Sequence, residues 1–312
     1  MRLDYLLPLK ASADSDVSEL AAYLRGLRHD PAIGDVIVVD SSPPAVFARN
    51  AEAFGPAVRH AAPNAEFACL NGKVAGVRTG FALAAADAVV IADDDVRYRP
   101  AELARLAAAL DDRDLVRPQN YFAPLPWHAR WDSGRSLLNR AFGGDYPGTL
   151  AVRLTPQLRA DGYDGDVLFE TLELIRTVAA AGGRVRTCLD LFVRRLPPST
   201  AHFGRQRVRQ AYDSTAQPAR LAAELTVAPL IAAATRWRPA RRLAAAGLVA
   251  ALAAAEFGRR RAGGRQYFPA TSTCWVPLWL LERGVCSWLA LTLRVSGRGV
   301  GYAGARLLRS AN

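Results

Sequence analysis

The stretch 89-VVIADDDVRY-98 places three consecutive carboxylates, Asp93, Asp94 and Asp95, directly after an apolar run. A short run of β-branched residues such as this one is typical of a buried parallel strand. Like charges repel each other at such short separations, so a turn that is merely solvated gains nothing from three of them. The stretch therefore predicts a strand that ends in an acidic turn, where positive charge offsets the repulsion.

Apolar runs of the same kind recur along the N-terminal part of the chain, separated by segments of helical periodicity. The predicted strands are 3–9, 35–40, 57–60, 88–93, 149–154 and 184–189. Helices are predicted over 17–27, 73–86, 100–110 and 167–181. This alternation predicts an α/β fold, an open and mostly parallel sheet with helices on both faces. Residues 119–147 are rich in aromatic residues, Pro and Gly and lack a period, so we expect a long functional loop there.

The acidic turn lies where an open α/β sheet binds ligands, beyond the carboxyl end of a strand. Carboxylate oxygens suit a hard divalent cation, and Mg²⁺ or Mn²⁺ at this turn would in turn bridge a diphosphate. A solvated acidic turn that precedes the helix at Pro100 is the alternative. Asp40, at the end of another predicted strand, can bind a nucleobase or a ribose, or can close an ordinary turn. Between the two strands, Lys73 can neutralise a phosphate.

The net charge of +11 is unevenly distributed along the chain. Residues 203–312 contain 17 Arg and 4 acidic residues, a net charge of +13, which leaves −2 for the first 202 residues. This pattern excludes a uniformly basic nucleic-acid-binding protein, so we expect no nucleic-acid partner. A near-neutral body followed by a basic, apolar segment is typical of a protein that faces a membrane.

Apolar runs separated by arginines follow in the basic segment, at 221–235, 243–257, 267–281 and 284–293. The longest of them have 15 residues, whereas a membrane span needs about 20. Short tilted spans, re-entrant hairpins and helices lying in the interface all fit these lengths, and a soluble helical subdomain is the alternative. Tryptophans beside the arginines favour the interface. Asp4 and Lys10 interrupt the N-terminal apolar run, so we expect no signal peptide and a cytoplasmic body.

Several motifs occur in an order that resembles the family 2 glycosyltransferases with the GT-A fold. They are a first strand ending in LPLK, VVD with Asp40, NGKVAGVRTGFALA, ADDD as the D-x-D motif, GDVLFETLELIRTVAAAGGRV as the family's acceptor-side helix, and RQRVRQ as its Q-x-x-R-W motif. The resemblance covers residues 3–212. It implies a GT-A-like catalytic domain over residues 1–215 and a helical, membrane-associated region over residues 216–312.

Carried over to this sequence, the resemblance implies a donor site at the edge of the sheet. Asp40 would bind the nucleoside. Asp93 would contact the ribose or the metal, and Asp95 would ligate the metal. Asp94 lies between these two and Lys73 precedes them, and both would belong to the same site for a nucleotide-diphospho-sugar.

The resemblance also implies a catalytic base. Glu170 matches the first residue of the family's Glu-Asp pair, but the second residue, which is usually the base, is Thr171 here. Glu170 is therefore the candidate base, with Asp166 and Asp164 as alternatives. Because Glu170 begins an amphipathic segment, a solvated helix face is a further interpretation of this carboxylate.

Acceptor contacts are expected from two places. Gln206 and Arg209 match Q-x-x-R and would contact the diphosphate or the acceptor, although Gln210 replaces the Trp of the motif. In the 119–147 loop, aromatic faces would stack on a sugar ring and carboxylates would bind its hydroxyls, unless these side chains only pack the loop. The residues concerned are Trp127, Trp131, Asp132 and Asp145.

These features predict an enzyme of the hexosyltransferase type. It would be an inverting, metal-dependent glycosyltransferase at the cytoplasmic face of the cell membrane, with a membrane lipid or a lipid-linked glycan as acceptor. A sugar-1-phosphate nucleotidyltransferase is one alternative, although the glycine-rich loop of such enzymes is absent from LPLKASADSD after the first strand. A membrane-bound scaffold that kept the fold and lost catalysis is the other, and Thr171 favours it.

Overall fold

The computed structural model describes residues 1–302 and 304–311. Its strands are β1 Leu3–Leu9, β2 Ile33–Asp40, β3 Arg59–Ala61, β4 Ala88–Ala92, β5 Val96–Arg97, β6 Leu115–Phe122, β7 Thr149–Arg153, β8 Val185–Arg195, β9 Val300–Tyr302 and β10 Ala305–Leu307. Its α-helices are α1 Ser18–Leu27, α2 Pro44–Phe54, α3 Gly72–Leu83, α4 Pro100–Ala109, α5 Trp127–Phe142, α6 Pro156–Asp161, α7 Glu170–Ala180, α8 Thr200–Arg205, α9 Arg207–Tyr212, α10 Pro218–Ala234, α11 Arg238–Arg260 and α12 Val276–Val295.

The chain forms two compact units. The first unit contains Met1–Pro118 and Tyr146–Arg194, and the second contains Gln119–Asp145 and Arg195–Asn312. The second unit thus takes in a segment from the middle of the sequence, which differs from a single boundary at residue 215. The functional division into a catalytic domain over residues 1–215 and a membrane-associated region over residues 216–312 stays a prediction.

An eight-stranded sheet in the described part of the chain has the strand order β3-β2-β1-β4-β7-β6-β8-β5. β1 pairs in parallel with β2 and with β4, and β2 pairs in parallel with β3. β7 runs antiparallel to both β4 and β6. The predicted α/β class with its parallel strands is confirmed, and the antiparallel β7 modifies it.

Side chains of β1 alternate between two cores in the first unit, as the period of a strand requires. Tyr5 lies in one core with residues of α1 and α4, and Leu6 lies in the other with residues of α3 and α7. Helices therefore cover both faces, as predicted. Gly80 lets α3 approach this closely, because a Cβ at that position would clash with the Leu6 side chain. The small residues of α3 thus serve helix–sheet packing.

The prediction of a long loop over residues 119–147 is wrong. The end of β6 and the 16-residue helix α5 occupy most of that segment. The buried residues of α5 include polar side chains, among them Asp132, Ser133, Ser136 and Arg140. An amphipathic helix is recognised in a sequence by apolar residues at helical spacing. Because the buried face of α5 includes polar residues, this pattern is missing and the helix was not predicted.

The helices α10 and α12 of the second unit each bury a charged side chain and expose apolar ones, although α12 also buries Val276 and Trp279. Within α10, all of which is described, Glu224 alone is buried. The Glu224 carboxylate accepts hydrogen bonds from Arg220 Nε at 2.9 Å and from Ser287 Oγ of α12 at 2.7 Å. In α12, Arg283 is fully buried while Leu281, Val285, Trp288 and Leu289 are exposed.

One helical stretch among the described residues, Ala270–Val295, is long and apolar enough to cross a membrane. Since a single stretch of this kind also occurs as a core helix of soluble proteins, it is weak evidence for a span.

Candidate functional site

The acidic turn after β4 is tied down by main-chain hydrogen bonds and by a buried arginine. Asp93 N donates to Gly148 O at 2.8 Å, and Val96 N donates to Asp93 O at 3.1 Å. The buried Arg97 donates from Nη1 to Asp94 O at 2.7 Å. The turn thus has a cation beneath it, which the sequence alone did not reveal because Arg97 belongs to no motif.

Lys73 supplies the second cation of the acidic turn. Its Nζ lies 2.6 Å from Asp93 Oδ1 and 2.7 Å from Glu170 Oε1. The structure thereby brings together three residues singled out from the sequence, although Glu170 lies 97 residues from Lys73 along the chain. The turn is a small charged cluster, and the interpretation as a freely solvated turn does not fit it.

Asn71 places Lys73 and Glu170 relative to each other. Its side-chain oxygen accepts a hydrogen bond from Lys73 N at 3.1 Å, which caps the first turn of α3. Its Nδ2 donates to Val167 O at 2.9 Å, three residues before α7 begins at Glu170. The sequence analysis missed Asn71, although an Asn directly before a helix is the usual sign of an N-cap.

Glu170 and the alternative base Asp166 differ in their surroundings. Glu170 is the first residue of α7, and both of its carboxylate oxygens lie 3.0 Å from Thr171 Oγ1, which donates to them. Asp166 is exposed, and its Oδ1 accepts a hydrogen bond from Leu70 N at 3.0 Å. Glu170 is therefore held by two side chains beside the acidic turn, whereas Asp166 anchors the loop before the helix.

Asp40 does not fit the direct nucleoside contact expected from the sequence, because its side chain has no exposed area. Its carboxylate accepts hydrogen bonds from Ser42 N and Asn50 Nδ2, both at 2.8 Å, and lies 3.1 Å from His60 Nε2. Burial raises its pKa, but the hydrogen bonds from His60, Ser42 and Asn50 outweigh burial and lower the pKa to about 2. Asp40 therefore closes the end of β2, which was the alternative interpretation.

Asp132 and Asp145, expected to bind sugar hydroxyls, are buried within the second unit. Asp132 is paired with Arg207 at 3.2 Å and with Arg135 at 3.5 Å. Burial raises the pKa of Asp132, but Arg135 and Arg207 outweigh burial and lower it to about 2. Asp145 accepts hydrogen bonds from Ser136 Oγ at 2.5 Å and Arg135 Nη1 at 3.0 Å. Both carboxylates are thus paired with side chains of α5 and α9, and their contact with sugar hydroxyls stays a prediction.

The other expected acceptor residues also lie in the second unit. Trp127 is 48% exposed at the start of α5 and packs edge-on against Phe203, with 5.9 Å between ring centroids. Trp131 is partly buried and contacts the same ring at 5.7 Å. Gln206 contacts His202 one turn earlier, and the Arg209 guanidinium lies 5.0 Å from the ring centroid of Tyr302. Their roles toward an acceptor stay predictions.

Two carboxylates at the acidic turn could take part in holding a divalent cation. The described residues contain no group of three or more His, Cys, Asp and Glu side chains placed to hold a metal. Mg²⁺ and similar cations are commonly bound through one or two carboxylates together with substrate phosphates and water. Asp93 already accepts an ammonium, so its position favours positive charge. Asp93 and Asp95 therefore fit a cation shared with a diphosphate, and do not fit a cation held by protein alone.

No protein-family model and no curated protein matches this sequence. Among solved structures, the chain is similar to a mannosyltransferase from Pyrobaculum calidifontis in complex with GDP-mannose and Mn²⁺. The sequences are 18% identical, the match covers 92% of this chain and 88% of that chain, and the TM-score is 0.50. At this identity the likeness establishes the fold, which is GT-A-like, and the activity has to be argued from the site.

Two further solved structures are nucleotide-sugar transferases with lower scores. A mannosyl-3-phosphoglycerate synthase from Rubrobacter xylanophilus is 14% identical, with coverage of 67% of this chain and 74% of that chain and a TM-score of 0.45. A glucosyl-3-phosphoglycerate synthase from Mycobacterium tuberculosis, in complex with Mn²⁺, UDP and glucosyl-3-phosphoglycerate, is 17% identical, with coverage of 65% and 75% and a TM-score of 0.42.

Proposed function

We propose that the protein is a glycosyltransferase that moves a sugar from a nucleotide-diphospho-sugar to a hydroxyl group. The observation that carries this proposal is the position of Lys73 between Asp93 and Glu170 at the carboxyl end of β4. That end of a strand is where open α/β sheets bind ligands. It combines a cation for phosphate, carboxylates for a metal and a candidate base within one small cluster.

The donor and the cation are proposed on the same cluster. The mannosyltransferase of similar fold was solved with GDP-mannose and Mn²⁺, which supports this class of donor and a divalent cation, Mn²⁺ or Mg²⁺. Asp93 and Asp95 would hold the cation. When bound, the cation would offset the negative charge of the departing nucleoside diphosphate. The Lys73 ammonium would offset charge on the same diphosphate, and Asp94 would border the site.

Glu170 is proposed as the base. A carboxylate near the reacting hydroxyl removes its proton as the oxygen attacks the anomeric carbon. Attack from the side opposite to the leaving diphosphate makes the transfer an inverting one, in line with the family 2 resemblance. Thr171 donates to both oxygens of Glu170, so the side chain that replaces the family's usual Asp orients the carboxylate that remains.

The acceptor is proposed to be a membrane lipid or a lipid-linked glycan. Gln206 and Arg209 match the family's acceptor motif, and Trp127 offers an exposed aromatic face that suits a sugar ring. Trp131 extends the same aromatic cluster through Phe203. The helices α10 to α12, which follow this cluster in the chain, supply the argument for a membrane-resident acceptor.

The apolar exterior of α10 to α12 supports association with a bilayer. Ionisable residues in membrane-embedded helices face the interior of the bundle, as Glu224 and Arg283 do here. The central part of α11 exposes adjacent apolar side chains, with Leu248 39% and Val249 65% exposed. The arginines at both ends of α11 suit the anionic cytoplasmic leaflet. These features support our proposal that the protein acts at the cytoplasmic face of the cell membrane.

The proposed function is tested by incubating the purified full-length protein in detergent or nanodiscs with a panel of GDP-, UDP- and dTDP-sugars, Mn²⁺ and a membrane-lipid extract, followed by mass analysis. A glycosylated product together with free nucleoside diphosphate is the expected result. In a parallel incubation with nucleoside triphosphates and sugar 1-phosphates, release of pyrophosphate would instead identify a nucleotidyltransferase.

A catalytically inactive scaffold is the second candidate, and Thr171 in place of the usual Asp is the observation that favours it. In that case donor binding with no turnover of any donor is the expected result. Thr171→Asp, which restores the family's usual carboxylate, separates the two functions. If the protein is an inactive scaffold that lacks only this base, the variant should gain transfer activity. If the protein is an enzyme that uses Glu170 as its base, the variant should show no gain in activity.

A further inference from the structure

Lys73 makes two ion pairs within the proposed donor site. Its Nζ contacts Asp93 at 2.6 Å and Glu170 at 2.7 Å, and the exposed fractions of the three side chains are 16%, 24% and 14%. The cluster is therefore partly shielded from water, where ion pairs are stronger than at an open surface. One ammonium group serves both the proposed metal ligand and the proposed base.

A divalent cation held by Asp93 would compete with the Lys73 ammonium, which contacts Asp93 Oδ1. A diphosphate offers the ammonium new oxygen partners at the same end of β4. The start of α3 is fixed by Asn71, so the main chain of Lys73 stays in place. The flexible four-carbon stem of a lysine allows the head group to move without the backbone.

We propose that Lys73 is a clamp that holds Glu170 until the donor has bound. In the donor-free state the ammonium joins Asp93 to Glu170, and the Glu170 carboxylate is not available to an acceptor hydroxyl. The nucleoside diphosphate of an incoming donor draws the ammonium away, and Asp93 turns to the cation. Glu170 is then released and stays oriented by Thr171. This inference rests on the proposed function, because it assigns the diphosphate and the base to this cluster.

The clamp makes donor binding and the state of Glu170 thermodynamically linked. Part of the free energy of donor binding is spent on breaking the Lys73–Glu170 pair. Removing the Glu170 charge should therefore strengthen the binding of a nucleoside diphosphate, and it should do so only when Lys73 is present. If Glu170 instead weakened nucleotide binding only by repelling the negatively charged diphosphate, Glu170→Gln would strengthen binding equally with and without Lys73.

The test is a double-mutant cycle on the full-length protein, with GDP and UDP as probes in the presence of Mn²⁺ and dissociation constants measured by calorimetry. We expect Glu170→Gln to tighten binding about three- to thirtyfold in the Lys73 background. In the Lys73→Met background the same change should alter binding less than about twofold. Arg105→Gln, which removes an exposed positive charge paired with Asp190, is the control for Lys73→Met.

Equal effects of Glu170→Gln in both backgrounds would overturn the clamp while leaving the donor site in place. Failure of the folded wild-type protein to bind GDP or UDP would overturn the proposed function, and the clamp with it. If Lys73→Met binds no nucleotide, the labelling of Glu170 by a water-soluble carbodiimide in the nucleotide-free proteins, mapped by mass spectrometry, decides. The clamp requires Glu170 to be labelled faster in Lys73→Met than in wild type, and an equal rate rejects it.

Discussion

Asn71 joins Lys73 to Val167: its Oδ1 accepts from Lys73 N at 3.1 Å, and its Nδ2 donates to Val167 O at 2.9 Å. One fully buried side chain thus fixes both the helix that carries the lysine and the loop that leads to Glu170. The distance between the Lys73 ammonium and the Glu170 carboxylate therefore depends on Asn71, an uncharged residue whose hydrogen bonds go to the main chain.

The first prediction concerns this bridge. Asn71→Ala should lower the free energy of unfolding by about 2 to 3 kcal/mol, because a helix cap is lost and a buried carbonyl is left unpaired. Urea unfolding followed by circular dichroism measures the change. Asn64→Ala is the matched control: Asn64 caps an exposed turn by accepting from Glu66 N at 3.0 Å, and its loss should cost less than about 1 kcal/mol. Equal losses in both variants would contradict the special role of Asn71.

The second prediction separates the two candidate bases. Glu170→Gln should retain donor binding and lower the rate of transfer by about 10² to 10⁴. Asp166→Asn should change the rate little, because Asp166 accepts a hydrogen bond from Leu70 N and is exposed. Single-turnover assays with a labelled donor measure both rates. A dead Asp166→Asn variant beside an active Glu170→Gln variant would transfer the role to Asp166.

The third prediction concerns the divalent cation. Removal of Mn²⁺ with a chelator should abolish transfer and weaken donor binding in the wild-type protein. Asp95→Ala should show the weak binding both with and without Mn²⁺, since the shared site has lost one of its two carboxylates. Calorimetry with GDP and UDP gives the four affinities. A metal-independent affinity that is the same in wild type and variant would remove Asp95 from the site.

The fourth prediction is a pH dependence of stability at the end of β2. The pKa of Asp40 is about 2 in the folded protein, below its ordinary value of 3.8. Its ionised form therefore stabilises the fold at pH values above about 4, by about 2 kcal/mol, and this stabilisation is lost as the pH falls toward 2. Asp40→Asn should be less stable than wild type at pH 7, and the difference should shrink below pH 4.

Thermal unfolding between pH 2 and 7 measures the Asp40 effect. Asp112→Asn is the control, because Asp112 forms an exposed pair with Arg113 and should leave the stability curve nearly unchanged. A stability difference for Asp40→Asn that stays constant over the whole pH range would contradict the assignment.

The fifth prediction concerns the bilayer. Full-length protein should float with vesicles that contain anionic lipid, and Leu248→Gln with Val249→Gln on α11 should weaken this binding by about tenfold or more. Leu248→Met with Val249→Ile keeps the surface apolar and should bind as wild type does. The full chain is used because α5 packs so closely against α11 that a Cβ at Gly258 would clash with Leu137 O, and truncation would expose α5. Equal flotation of all three proteins would argue against α11 as the contact.

The sequence predicted the first half of the fold well because its strands are continuous apolar runs. The run before Asp93 and the run before Asp40 both form strands, β4 and β2, that pair in parallel with β1. Helix α5 could not be predicted in the same way, because its buried side includes Asp132 and Arg140, which look like surface residues in a sequence. The partners that make their burial possible, such as Arg207, are far away along the chain.

The candidate site shows the same limit. Lys73, Asp93 and Glu170 were singled out by motif and spacing, and they do meet. Asp40 and Asp145 were singled out by the same reasoning, yet both are enclosed by hydrogen-bond donors of their own unit. The sequence does not distinguish an Asp whose carboxylate is open to a ligand from an Asp whose carboxylate already accepts hydrogen bonds within the protein. Burial and partners decide between the two, and both depend on tertiary structure.

Glu224, the single buried residue of the fully described α10, reverses the usual rule for which substitutions a helix tolerates. On an ordinary amphipathic helix, outward positions accept polar residues freely and inward positions demand apolar ones. Along α10 the outward positions are apolar, and the inward one is a carboxylate held by Arg220 and Ser287. A saturation screen should therefore find glutamine or lysine harmful at exposed positions of α10, and leucine harmful at position 224.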